Sequence, residues 1–579
     1  MKMKKLLAFL FASIVVITIS CGDKPSSGGG TGGGTGGGGG GGNVTPTDPA
    51  TANTIGFFMN EWAGKTFTAP TAIDVAKPTV TPTSYVTIDA GTVLTKIPAT
   101  YNTHNANSWM TQMITEAPLM AHLTNLKPNV VRFPGGSISD MYFWNKPFNN
   151  PPADAPAQLL DASGVASAAG YWGGQTNDGW TISLNSYYTM LQQTGSQGMI
   201  TVNYGYARYS TANNPVAQAA HLAADWVRFD NGRTKYWEIG NECNGTWEAG
   251  YRINTANNKD GQPEIITGTL YGQHVKVFID SMRKAAQEIG KTIYIGSYIL
   301  EAQPAAWQTA TDQLWNAGVL PQVNTVTDFY IIHSYYTPYQ TNATASEILT
   351  TATGNTAAMM SFYKNGLTGA GNTIKPVALT EYNITSQGSK QQVSFVNGMH
   401  ALITMAESVK NNYGFVCRWD LSNSYDNGND HGLFNSGNEP GVVKWNPRPA
   451  FYYMYYFQKY MGDRMLKSTT VGGVLAYASS FTSGEKGVIL VNKGTLGETV
   501  NVTLQNATAG TKFYWYTLTG GSDNGEFSSK VYVNGNGPTE PTGGPSATYT
   551  TINANSALTS GGINVSVPAR SVVYLVINK

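Results

Sequence analysis

The sequence predicts an α/β fold, a (β/α)8 TIM barrel with a C-terminal β-sandwich domain, on three observations. Residues 53–462 alternate short apolar runs with longer helix-like stretches, the rhythm of repeated βα units. From 463 to 579 the texture changes to short Thr-, Val-, Gly- and Asn-rich runs, as in antiparallel strands separated by turns. The chain has 579 residues, more than one ordinary core organises, so a second folded domain is expected.

The barrel strands are expected, in order, at Ile97–Asn102, Asn129–Phe133, Met199–Tyr204, Tyr236–Gly240, Thr292–Ser297, Phe329–His333, Val377–Thr380 and Phe415–Trp419. Helices are expected between them, among others at Pro215–Phe229, Leu270–Ile289 and Gln391–Asn411. The insert 134–198, rich in Gly, Ala, Asn and Trp, is a candidate wall for a substrate cleft. Residues 77–95, Thr/Val-rich and ahead of the first barrel strand, are candidates for extra sandwich strands.

The N-terminus reads as a targeting segment. Lys2, Lys4 and Lys5 precede the apolar run Leu6–Ile19, which has signal-peptide length and is short for a spanning helix. The run ends at Ile19-Ser20-Cys21, which resembles a bacterial lipobox. Residues 1–20 are therefore expected to be removed and Cys21 acylated, placing the protein in the cell envelope, lipid-anchored, on the outer membrane. Residues 21–52 form a Gly-rich tether; Gly28 to Gly42 is interrupted only by Thr31 and Thr35, and a coil of about 15 such residues spans roughly 20 Å. Cys243 and Cys417 fall on strands that are not neighbours, so two buried free thiols are expected.

Charged residues make up 12% of the chain and nearly cancel, which removes the basic stripe that a nucleic-acid partner needs. A neutral surface with 11% aromatic residues suits uncharged polar ligands such as sugars.

Two strand ends carry the chemistry. Tyr236-Trp237-Glu238-Ile239-Gly240-Asn241-Glu242 runs an apolar strand into a carboxylate, and Pro376-Val377-Ala378-Leu379-Thr380-Glu381 does the same. Residues at the C-terminal ends of barrel strands face the active-site mouth. Two glutamates there suit glycosidic cleavage, one protonating the leaving oxygen and the other attacking the anomeric carbon. That division of labour asks for a raised Glu242 pKa and an ionised Glu381. Asn60-Glu61-Trp62 repeats the Asn-Glu pair without a preceding buried strand and is discounted.

Val131-Arg132-Phe133-Pro134-Gly135-Gly136-Ser137, Trp237 to Glu242, and Thr380-Glu381 occur in the order found in clan A glycoside hydrolases. They most resemble the α-L-arabinofuranosidase family, glycoside hydrolase family 51. The resemblance implies Glu242 as acid/base, Glu381 as nucleophile and a retaining mechanism. Arg132 could hold Glu381 ionised, or serve as an interior ion pair with Glu238. Asn241 offers an amide to a sugar hydroxyl. His333 and Tyr335 share a strand face by period-two spacing, and either could bond the nucleophile; a core role for His333 is the alternative. Trp419 could lie under the sugar or in the core, and Asn203 is a further candidate.

No spaced His/Cys cluster, phosphate-binding glycine loop or serine elbow is present, so no metal and no cofactor is expected. Asp426 to Asp430 reads as a solvated turn. The expected partner is a plant or algal polysaccharide or its oligosaccharides. The expected function is a retaining, arabinofuranosidase-like glycoside hydrolase. The alternatives are an endo-β-glycanase of the same clan, a glucanase or xylanase, and a non-catalytic surface glycan-binding lipoprotein.

Overall fold

The computed structural model describes residues 44–426 and 430–579. Cys21, the leader, most of the glycine tether and residues 427–429 of the Asp426–Asp430 turn lie outside the described residues. Eight parallel strands close into a barrel in chain order: β1 (Thr103–Asn105), β2 (Val130–Phe133), β3 (Gln197–Val202), β4 (Thr234–Ile239), β5 (Tyr294–Tyr298), β6 (Phe329–Tyr335), β7 (Val377–Asn383) and β8 (Phe415–Arg418). The helices that cover it include α1 (Ala117–Leu126), α2 (Leu184–Thr194), α3 (Pro215–Asp230), α4 (Gly268–Glu288), α5 (Ala310–Val323), α6 (Ala345–Gly369) and α7 (Phe395–Lys410). Their starts follow local chemistry: Thr309 and Thr344 build reciprocal capping boxes with Asp312 and Glu347, satisfying backbone N–H groups that the first turn leaves free. Among the described residues no helix is long and apolar enough to cross a membrane.

The first strand lies further along the chain than the apolar run suggested. Ile97–Asn102 was the expected strand, but Ile97 gives its N–H to Asp463 and Pro98 has none to give. The barrel strand is instead the polar and wholly buried Thr103-His104-Asn105. Asn105 Nδ2 donates to Thr380 O at 3.0 Å, tying β1 across to β7.

One end of the barrel is plugged. Phe58, on a turn before the barrel, packs its ring 5.2 Å from Tyr236, 5.5 Å from Phe329 and 5.8 Å from Phe415, residues at the N-terminal ends of β4, β6 and β8. Glu61 bonds Gln197 and Lys235 at the same end. The Asn60-Glu61 pair is thus at the opposite end of the strands from Glu242. Function is left to the C-terminal mouth.

The C-terminal strands form most of an eleven-stranded sheet around a second core, ten strands in one hydrogen-bonded path and Val531–Val533 paired to its side. Ser84–Lys96 joins it, pairing with Arg464–Val471 on one side and Glu498–Gln505 on the other. Its alternate residues Val86 and Ile88 are buried with Leu466, Val500, Val565 and Leu575. The aromatic helix α8 (Pro449–Tyr460) lies between sheet and barrel: Tyr456 packs 4.8 Å from Tyr516, and Tyr574 Oη donates to Tyr453 O at 2.6 Å. Cys243 and Cys417 are both free and buried.

Candidate active site

Backbone geometry sets the stage at the end of β4. Gly240 has φ +73°, and a Cβ there would come within 2.4 Å of Cys243 Sγ and 2.6 Å of Tyr204 Cβ. Only glycine fits that turn without moving its neighbours. Two residues later Glu242 itself has φ +40°, a conformation an L-residue adopts at a cost of order 1–3 kcal/mol and one that clusters at functional sites. The turn throws the Glu242 side chain into the barrel mouth.

Arg132, 0% exposed, organises the other side. Its Nε meets Glu238 Oε2 at 2.5 Å, Nη1 meets Glu381 Oε1 at 2.7 Å and Asn105 Oδ1 at 2.8 Å, and Nη2 meets Asn241 Oδ1 at 2.9 Å. Both roles weighed for Arg132 are therefore occupied at once, since its planar fork spans two carboxylates. Tyr335 Oη donates to Glu381 Oε2 at 3.2 Å. His333 lies between the two glutamates, with Nδ1 2.9 Å from Glu242 Oε1 and 3.8 Å from Glu381 Oε2, while Nε2 meets Thr380 Oγ1 at 3.0 Å. One oxygen of each carboxylate and a His333 nitrogen all lie within 4.8 Å of one another.

No protein-family model matches the chain. It is 23% identical over 222 residues to the intracellular exo-α-(1→5)-L-arabinofuranosidase of Halalkalibacterium halodurans, a match covering 36% of this chain and 37% of that protein. The chain thus aligns with little more than a third of that relative's length. Its fold is similar to that of a family 51 α-L-arabinofuranosidase from Bifidobacterium longum, with a TM-score of 0.59 and 14% identity over 86% of this chain and 100% of the other. A bifunctional glucanase-xylanase from a metagenome library has the same coverage and identity with a TM-score of 0.54.

The chain resembles the family 51 arabinofuranosidases.

Within this arabinofuranosidase-like barrel the remaining candidates divide. Trp419, 8% exposed, follows β8, and a Cβ on Gly136 (φ +49°) would come within 2.7 Å of its ring. Gly136 thus gives Trp419 its seat beside the β2 loop. Gly136→Ala is expected to displace the ring and raise KM on a small glycoside several-fold, at an overpacking cost of about 1–3 kcal/mol; steady-state kinetics beside a melting curve check it. Asn203 is turned to local structure: its amide bonds Tyr142 O and Tyr209 Oη, and its Oδ1 accepts the Tyr206 N–H.

Three further residues complete the site. Glu248, buried, accepts from Asn241 Nδ2 at 2.9 Å and from Ser137 Oγ at 2.8 Å. Asp140 accepts the backbone N–H groups of Tyr204, Gly205 and Asn241. Together they fix the loops that carry Asn203 and Asn241. Trp247, 66% exposed, donates Nε1–H to Glu242 Oε2 at 3.1 Å. The Asn-Glu-x-x-Gly-x-Trp spacing from Asn241 to Trp247 was the available signal for Trp247.

The electrostatics differ from the order asked of the two glutamates. Burial pushes Glu381 above the ordinary carboxylate value, with His333 and Arg132 pulling against it. Burial acts on Glu242 in the same sense, but the hydrogen bond and charge of His333 outweigh it and hold Glu242 below the ordinary value. Burial opposes the His333 charge, and the carboxylates of Glu381 and Glu242 more than offset that, so the imidazole is raised. Burial pushes Glu248 well up, with the charges of Asp140 and Glu242 adding to it. The order follows from distance: His333 Nδ1 hydrogen-bonds Glu242 Oε1 at 2.9 Å and lies 3.8 Å from Glu381.

This arrangement fixes a pH dependence. A nucleophilic Glu381 must be ionised, so the acid limb of kcat/KM is expected to lie above the value of about 4.3 for an ordinary glutamate. A limb at or below that value contradicts the assignment. The limb belongs to the coupled group of three, not to Glu381 alone.

Glu242, His333 and Glu381 have the spacing to hold a cation. The Arg132 guanidinium 2.7 Å from Glu381 Oε1 opposes one by like-charge repulsion.

Proposed function

We propose that the protein is a retaining glycoside hydrolase acting on a plant or algal glycan, arabinofuranosidase-like in its chemistry. The single observation carrying this reading is the approach of the Glu242 and Glu381 carboxylates from the ends of β4 and β7, with oxygens within 4.8 Å. Carboxyl groups about 5–5.5 Å apart suit direct attack by one of them, whereas inversion needs a wider gap for water. In the first step a Glu381 oxygen bonds the anomeric carbon as the glycosidic bond breaks, and Glu242 gives its proton to the leaving oxygen. His333 Nδ1, 2.9 Å from Glu242 Oε1, orients that carboxyl group. In the second step Glu242 takes a proton from water, which displaces Glu381. Arg132 and Tyr335 hold Glu381 in line, and Asn241, locked by Glu248 and Arg132, keeps an N–H for a sugar hydroxyl.

A second reading, internal cleavage of a β-glycan, is favoured by exposed rings on loops at the mouth: Trp247, Trp307 at 85% and Tyr339 at 73% follow β4, β5 and β6. Across from them, Trp180 packs on Trp172 and Phe148 of the insert. Product analysis on a polysaccharide panel separates the readings: free arabinose supports the first, oligosaccharide ladders the second. Binding without products supports a glycan-binding lipoprotein and overturns both. Acylation of Cys21 and a membrane location are part of the proposal. Cys21→Ala is expected to move the protein from the membrane to the soluble fraction, and an unchanged distribution contradicts the anchor.

A further inference from the structure

A cavity of about 310 Å³ lies outside the catalytic ring, on the β3–β4 side of the mouth. One wall is the hairpin Gln158–Leu160/Ala166–Ala168 of the insert, and the other is the stretch 252–258 after β4. Its floor is Arg208, whose guanidinium gives four of its five N–H groups to Gly250 O, Gln262 Oε1, Pro263 O and Glu264 O. Two donors on the opposite wall are not engaged: Arg252 Nε and Asn258 Nδ2 are buried and have no hydrogen-bond partner among the described residues. A buried donor is costly to leave unpaired, so two lining one cavity point to an acceptor-bearing ligand.

The charges say which kind. Arg252 Nη1 is paired with Glu264 Oε1 at 2.6 Å, and Asp260 offsets Arg208. No uncompensated cation is left to ask for an anion. Leu159, Tyr209 and Ile253 add apolar surface for the C–H face of a sugar ring. The size matches the lower range of small-ligand sites. The cavity is also linked to the catalytic site: Tyr209 Oη donates to Asp140 O at 3.0 Å, and the Asp140 carboxylate accepts the Asn241 N–H beside Glu242.

We propose that this cavity is a distal subsite for one neutral sugar unit of the glycan, held through hydroxyl or ether oxygens by Arg252 Nε–H and Asn258 Nδ2–H. The inference rests on the glycosidase reading above. The test is the full chain with Arg252→Lys and Asn258→Asp combined. Lysine keeps a cation for Glu264 without the Nε–H, and aspartate keeps the oxygen that accepts from Gln262 N without the amide donor. Calorimetry in a Glu381→Gln background uses arabinohexaose, xylohexaose and a hexameric oligogalacturonide as probes.

The expected result is binding of a neutral hexamer that weakens about 5- to 25-fold in the double variant, one lost hydrogen bond being worth about 5-fold. Turnover of an activated aryl glycoside by the double variant with Glu381 intact, and its melting temperature, should stay unchanged. Unweakened binding overturns the subsite, as does absence of neutral-hexamer binding or a preference for the oligogalacturonide. A parallel fall in aryl glycoside turnover and melting temperature assigns the two residues a structural role and also overturns it. Aryl glycoside turnover by the unsubstituted chain tests the glycosidase reading separately.

Discussion

Glu381→Gln is expected to lower kcat on an activated aryl glycoside by at least about 10⁴-fold, with the fold and sugar binding retained. The amide keeps the shape of the side chain and can still meet Arg132 and Tyr335, but it has no anionic oxygen to bond the anomeric carbon. Glu242→Gln should behave differently. Loss of a general acid costs about 10²–10⁴-fold, least when the leaving group needs no proton, so its deficit should shrink on glycosides with acidic leaving groups. The Glu381 deficit should not. Comparing the two variants across a leaving-group series checks the division of roles, and equal sensitivity in both contradicts it.

Arg132→Met is the second large effect. Arg132 and Glu238 are both wholly buried, and burial works against the guanidinium charge, but Glu238 and Glu381 outweigh it and raise the Arg132 pKa. Removing the cation leaves two buried carboxylates without their countercharge, a change that costs about 3–5 kcal/mol when one partner of a buried pair is lost. Unfolding in urea should show that loss. Activity should fall with it, because Glu381 then loses one of the two cationic partners, His333 being the other, that oppose its burial. Arg132→Lys restores the charge but not the fork that reaches Glu238, Glu381, Asn105 and Asn241 together, so it is expected to recover stability in part and activity less. Equal recovery of both would contradict a role for the fork in holding Glu381.

Those two residues were legible before any coordinates because each sits in a local pattern that has one physical meaning. A buried strand ending in Glu puts that carboxylate at the barrel mouth, and Glu242 and Glu381 both end such strands. Arg132 stood out as a charge within the apolar Val130–Phe133. What was not legible depended on the chain returning from a distance. Glu248 is seven residues from Asn241 and reaches back to it only through the turn at Cys243–Gly245, while Asp140 meets three backbone N–H groups from two other loops. The first strand was misplaced for a related reason: Thr103-His104-Asn105 is polar, and only its partners across the barrel make burial favourable. Asn203 sits near the mouth as its strand position implied, but its hydrogen bonds go to Tyr142, Tyr206 and Tyr209, which no period-two pattern reveals. The order of the glutamate pKa values followed from the distances of one imidazole to the two carboxylates, and side-chain placement at a strand end is set by packing.

Retention of configuration requires a covalent bond between Glu381 and the sugar. Its most direct measurement is peptide mass spectrometry after incubation with a slow, activated 2-deoxy-2-fluoro glycoside of the sugar released in the polysaccharide panel. The peptide containing Glu381 is expected to gain the mass of one fluoroglycosyl group while the peptide containing Glu242 does not. A label on any other residue, or no label together with a product of inverted anomeric configuration, would contradict it.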